Sequence, residues 1–226
     1  LPMISELWTK GEKRKIKSSL RMIFKISFLL AIPAAFLVLT FPEVIIRILF
    51  SSDYLPGANA MRILSIGALI NVMGYGFGKT LVGIGKPKLS LKSYGTAAIF
   101  NIVANFFLIP RFGASGAALA TTSSFLIVTI MSIYFVKDII NFSLPVKELS
   151  ISIVAGILMV ILALLLKTSI FVNIFLKVII VSVPSLIFYI VFILRAGAVS
   201  EDGIYFLEQI IPIPPKIGKI LRKLSR

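Results

Sequence analysis

Apolar residues fall in six long runs, approximately Ile26–Phe50, Ala60–Val82, Ser93–Ile109, Ala114–Val136, Leu149–Leu166 and Ile174–Leu194. A helix needs roughly 20 mostly apolar residues to cross a bilayer, with a range of about 17–25. Each run meets that length within the few residues by which such boundaries shift. The breaks between them carry helix-stopping chemistry: Ser51 to Gly57 with Pro56, Gly85-Lys86-Pro87-Lys88, Pro110-Arg111-Phe112-Gly113, and Lys137 to Glu148 with Pro145. Glycine and proline at these points end a helical pattern because one needs no Cβ clearance and the other lacks an N–H. The pattern predicts an all-α integral membrane fold with six transmembrane helices.

Composition agrees with the pattern. Of 226 residues 58% are hydrophobic and 15% charged, against about 45–50% and 25% in soluble domains. The mean hydropathy is +1.02. A soluble fold of this length has no interior large enough for so much apolar surface. Four segments follow: a basic segment 1–25 leading into the first span, four spans in 26–136, two more in 137–194, and a basic tail 195–226.

Charge then sets orientation. The 24 Lys and Arg against nine Asp and Glu give a formal net charge of +15. In a soluble chain that balance points first to nucleic acid. Here the basic residues sit between apolar runs, so topology and anionic lipid headgroups account for them, and no nucleic-acid partner is expected. Eighteen fall on one side of the six spans, in the N-terminal segment, the loops at Lys86–Lys92 and Lys137–Lys147, and the tail. Arg47, Arg62, Arg111, Lys167 and Lys177 fall on the other. The positive-inside bias therefore predicts both ends in the cytoplasm of a cell-membrane protein. Two basic stretches show amphipathic spacing, Trp8 to Lys25 through Ile16, Leu20 and Phe24, and the tail through Ile217, Ile220, Leu221 and Leu224. The first is expected to run on into the first span. The second reads either as a headgroup-plane helix or as a disordered basic tail.

Catalytic chemistry has little to work with. There is no cysteine and no histidine. The only adjacent acids, Glu201 and Asp202, have no third partner, and no phosphate-cradling Gly-Lys-Ser/Thr loop occurs. No catalytic residue, metal site or cofactor is expected, and the chain does not read as an enzyme.

Polar residues at membrane depth are the remaining candidates. Lys79 lies inside the second run, where a charge at the bilayer centre costs at least about 2.5–3.5 kcal/mol. It either snorkels to the cytoplasmic boundary or faces a water-filled cavity and meets an anionic substrate. Asn71 shares its span. Arg47 and Arg62 flank the first external loop, as interfacial anchors or as a cationic rim, and Glu43 stands four residues before Arg47, where the two can pair. Arg62 has no acid within one turn. Gly74 and Gly78 form a G-x-x-x-G step expected to admit a neighbouring backbone, with helix bending as the second reading. Asn101 and Asn105 share a face and are expected to bond across helices. Gly113 and Gly116 open a small-residue run through Ser124 that reads as a packing surface.

These residues also carry a resemblance. The stretch from Asn101 through Asn105, Pro110, Gly113 and Gly116 to Thr121 resembles the N-x3-N, L-I-P-x-F-G-x2-G-A-A-x-A-T run of polysaccharide flippases. These belong to the multidrug/oligosaccharidyl-lipid/polysaccharide exporter superfamily. Leu49-Phe50 with Tyr54 and Ala58, and Leu81 through Gly85-Lys86-Pro87-Lys88, resemble two further motifs in the same order. Leu1-Pro2 with Ser5 and Gly11 resembles the segment before the ninth helix. Ser51 departs from the glycine often found there. The resemblance covers roughly Leu1 to Val136. It implies a two-lobed MATE-like fold of which this chain is the C-terminal part, helices nine to fourteen, and its start without Met reads as internal. The implied activity is flipping of lipid-linked oligosaccharide by alternating access, together with an N-terminal lobe. Lys79 and Arg62 would engage the pyrophosphate-linked glycan. The alternatives are an ion-coupled multidrug or metabolite exporter of the same superfamily and a membrane scaffold without a transport cycle.

Overall fold

The computed structural model describes residues 2–169 and 174–198, and every regular element among them is helical. The order is α1 (Pro2–Thr9), α2 (Lys13–Thr40), α3 (Pro42–Leu49), a 3₁₀ helix (Ser52–Gly57), α4 (Ala58–Gly83), α5 (Pro87–Ile140), α6 (Val146–Ser169) and α7 (Ile174–Arg195). Five stretches are long and apolar enough to cross a membrane. The helix expected at Ile217–Leu224 lies outside the described residues.

Five long stretches still make six crossings. The 54 residues of α5 would measure about 81 Å if straight, far beyond a hydrocarbon core of about 30 Å. The chain turns at Gly113, whose φ of 55° and ψ of −133° are open to glycine and closed to residues with a β-carbon. Two arms result, 87–112 and 114–140, matching the third and fourth runs. Gly116 lets them approach: a β-carbon there would come within 2.2 Å of the Leu108 carbonyl oxygen.

The first run is divided differently from expectation. A single span over Ile26–Phe50 is replaced by α2, which starts at Lys13 and ends at Thr40, followed by the separate short helix α3. Pro42 explains the break. It disfavours helical geometry in the residue before it, and Phe41 has φ −126° and ψ 38°. At its other end α2 takes in the basic residues from Lys13 on, while Trp8 belongs to the separate α1 and the helical path breaks at Gly11, φ 70°. The apolar stripe Ile16, Leu20 and Phe24 is buried in the protein.

The Gly85-Lys86-Pro87 turn has a direct physical cause. The Lys86 N–H bonds to the Leu81 carbonyl at 2.8 Å and the Gly85 N–H to that of Val82 at 3.1 Å. This is a Schellman closure around Gly85 at φ 74°. Pro87 then starts α5, where its missing N–H costs nothing.

Packing groups the residues into two units. One holds the chain up to Phe24 together with Phe41–Leu144. Its α4 lies against both arms of α5, and the rings of Phe24, Phe77 and Phe142 meet at centroid distances of 4.3 to 6.0 Å. The other holds Lys25–Thr40 and the chain from Pro145 onward. In it α6 packs on α7, and Gly156 sits where a β-carbon would strike the ring of Phe36. The Tyr189 hydroxyl donates to the Leu29 carbonyl at 3.2 Å.

Candidate functional site

All the proposed site residues lie in the first unit, on α3, α4 and α5. Helix α4 is built for close approach. Gly67 and Gly74, seven residues apart, face Thr122 and Thr129, also seven apart. The Thr122 hydroxyl donates to the Ile63 carbonyl at 3.2 Å, and that of Thr129 to Ile70 at 3.0 Å. Both partners advance together, so α4 and the second arm of α5 run parallel. Seven residues are about two helical turns, which returns the same contact to the same face.

The G-x-x-x-G step does not act as one surface. Gly74 meets Thr129, whereas Gly78 meets the Tyr94 ring on the first arm. Gly76 faces Phe24. Three glycines thus admit three different neighbours. Gly74 and Gly78 therefore face different neighbours and not one partner backbone.

The two asparagines also behave differently from expectation. Asn105 Nδ2 donates to Asn101 Oδ1 at 2.9 Å along a single helix, in place of a bond to another helix. The second lone-pair side of that exchange is unbalanced: Asn105 Oδ1 is buried and has no hydrogen-bond partner among the described residues. Asn101 lines a cleft of about 270 Å³ between the two arms, with Tyr94, Thr121, Ser124 and Phe125. The cleft offers hydroxyl and amide groups and no formal charge.

The cations are arranged along α4. Lys79 is exposed, with its ammonium 5.1 Å from the centroid of the Tyr75 ring. Asn71, Tyr75 and Lys79 are spaced by four, so they share one face. Arg62 is partly buried; it forms an ion pair with Glu43 and bonds to Asn59 Oδ1 at 2.9 Å. The fold thus supplies Arg62 with the acid that its near sequence lacks, from α3. Arg47 is exposed at the end of α3. Seventeen residues of helix separate Arg62 from Lys79, a rise of about 26 Å. They cannot grip one phosphate together.

The sequence reading did not single out Thr129 or Tyr94. The signal was present in the matching seven-residue spacing of Gly67 and Gly74 and of Thr122 and Thr129. A search for small-residue steps of four passes over it.

Residues 1–107 match the MatE family model. An uncharacterized membrane protein of Methanocaldococcus jannaschii is 34% identical over 93% of the chain and 41% of its own length. A probable low-salt glycan biosynthesis flippase of Haloferax volcanii is 24% identical over 94% of the chain and 45% of its own length. A capsular polysaccharide biosynthesis protein of Staphylococcus aureus is 27% identical over 62% of the chain and 35% of its own length. The chain spans less than half the length of these relatives. The match over residues 1–107 agrees with the resemblance carried by the motifs, and the chain is a multi-pass membrane protein.

Proposed function

We propose that this chain is the C-terminal part of a flippase that moves lipid-linked oligosaccharide across the cell membrane for surface polysaccharide assembly. The observation that carries the reading is the alignment of 94% of the chain with a relative named for glycan flipping. A second relative, named for capsule biosynthesis, points the same way. Alternating access requires a second lobe moving against this one about a site between them. Both ends of the chain face the cytoplasm in this reading, where anionic headgroups meet the basic segment.

Lys79 is the residue assigned to the anionic linkage of the substrate. It is a long, exposed cation on the same helix face as Asn71, whose amide suits a sugar hydroxyl. Arg62 is engaged by Glu43, and with Arg47 it serves the opposite boundary, where the flipped headgroup leaves.

Complementation tests this. In a strain lacking the full-length gene, the intact gene restores surface polymer, Lys79→Arg retains most of it, and Lys79→Ala at matched abundance accumulates lipid-linked precursor. Normal export by Lys79→Ala removes Lys79 from the site. A deletion that leaves polymer intact but raises drug susceptibility replaces the substrate class with that of an exporter.

A further inference from the structure

The end of α3 and the turn after it expose apolar side chains outside the long helices. Every residue from Arg47 to Tyr54 is exposed, and four of these eight are large and apolar. Ile48 is 53% exposed, Leu49 66%, Phe50 64% and Tyr54 64%. The Phe50 and Tyr54 rings lie 5.9 Å apart, forming one aromatic patch. Its polar part is satisfied within the turn: the Ser51 hydroxyl accepts from the Asp53 N–H at 3.3 Å and donates to Asp53 Oδ2 at 3.1 Å. Left in water, so compact an apolar patch is unfavourable.

Its depth follows from the cations. Arg62 and Lys79 are about 26 Å apart along α4, close to the thickness of a hydrocarbon core. In the topology proposed above, on which this step rests, the two mark the two boundaries. Arg62 pairs with Glu43 in the first turn of α3. That pair fixes α3, and the turn that follows it, at the boundary opposite Lys79. Apolar and aromatic side chains beside an arginine are what the zone between headgroups and acyl chains accepts.

We propose that residues 47–54 form a membrane foot, seated in the leaflet opposite Lys79. Ile48, Leu49, Phe50 and Tyr54 enter the acyl boundary, Arg47 meets lipid phosphates, and the Arg62–Glu43 pair holds the foot at that depth. The foot neither crosses the bilayer nor closes on other parts of the protein. Its occupant is lipid.

Spin labelling distinguishes the surroundings. This chain has no cysteine, so Leu49→Cys and Tyr54→Cys each introduce one thiol into it, and with any cysteine elsewhere in the intact protein replaced by serine each can carry the nitroxide. The protein is reconstituted in phosphatidylcholine and phosphatidylglycerol vesicles. Relaxation by oxygen, which concentrates in lipid, is compared with relaxation by a water-soluble nickel chelate. At both positions oxygen is expected to be the stronger relaxant by about twofold or more, at a depth of about 5–10 Å below the phosphates. Adding Arg62→Ala shifts both labels toward the nickel chelate. Nickel dominance in the parent protein means a water-exposed loop and overturns the proposal. So does protection from both relaxants, which means that protein covers the patch. A label near the bilayer centre overturns it too, since the segment would then continue a span.

Discussion

Thr129 stands over Gly74 so closely that a β-carbon on the glycine would lie 2.6 Å from its hydroxyl oxygen and 3.3 Å from its Cα and N. The same hydroxyl reaches past the glycine to the Ile70 carbonyl. Close approach and hydrogen bond therefore depend on one another. Where no hydrophobic effect separates helix from lipid, such contacts hold helices together through packing and polar bonds.

Thr129→Val keeps the shape of the side chain and removes the bond. Its expected cost is about 0.6 kcal/mol, the average for a polar contact between membrane helices. Gly74→Leu is expected to cost much more, because Thr129 meets the glycine with its main chain as well as with a side chain that could turn aside. Thr122→Val repeats the first effect two turns away, and the two threonine changes should add within about 0.5 kcal/mol. Reversible unfolding in mixed detergent measures all three.

The hairpin in α5 gives a second pair of substitutions with different mechanisms. Gly113→Ala meets no neighbour within 4 Å, but its φ of 55° is hostile to a side chain. The expected loss is about 1–3 kcal/mol, from strain alone. Gly116→Ala drives a β-carbon into the Leu108 carbonyl, a main-chain group that cannot rotate away. It should prevent the arms from closing and abolish folded protein. Size-exclusion profiles of the two variants should differ accordingly, with Gly113→Ala still monodisperse.

The number of membrane-length segments was legible in the sequence, the short helices α1 and α3 were not, and helix ends were legible where the stop was local. Gly85-Lys86-Pro87 closes α4 and opens α5 through bonds among six neighbouring residues. Pro42 carried an equally local signal, yet hydropathy continues through it, so an apolar run concealed the end of α2 at Thr40. Contacts between helices were less accessible. Glu43 lies four residues from Arg47 in sequence and bonds to Arg62 in the fold, because α3 turns back toward α4. Asn101 and Asn105 share one face, and that same proximity lets the Asn105 amide donate to Asn101 within one helix while its own Oδ1 stays unpaired among the described residues. Lys79 keeps the double reading it had from the start, since its exposure suits both a boundary anchor and a substrate contact.

The Arg62–Glu43 pair supplies a third prediction. Both side chains are about a third to two-fifths exposed, which screens the attraction. A double-mutant cycle with Glu43→Gln and Arg62→Gln should give a coupling of about 0.2–1 kcal/mol. It should shrink as salt is added. Thermal denaturation at low and high ionic strength checks both the size and the trend.

The charge bias makes the strongest demand on orientation. Ser18 lies in the basic part of α2 and Ser51 beside the 3₁₀ turn, and both are exposed. Their helices place a crossing of the bilayer between them, so their side chains should open to opposite sides. With no cysteine in the chain, Ser18→Cys and Ser51→Cys each introduce a single thiol into it. Ser51 belongs to the polar side of the foot, at the headgroup surface, so in intact cells a membrane-impermeant maleimide should label Ser51→Cys and leave Ser18→Cys unmodified until the membrane is permeabilised. The reverse pattern would invert the topology and put Lys79 at the outer boundary. A substrate phosphate would then meet Lys79 after flipping instead of before it. Labelling of both thiols from outside would mean that the segment between them does not cross, contrary to the length and hydropathy of α2.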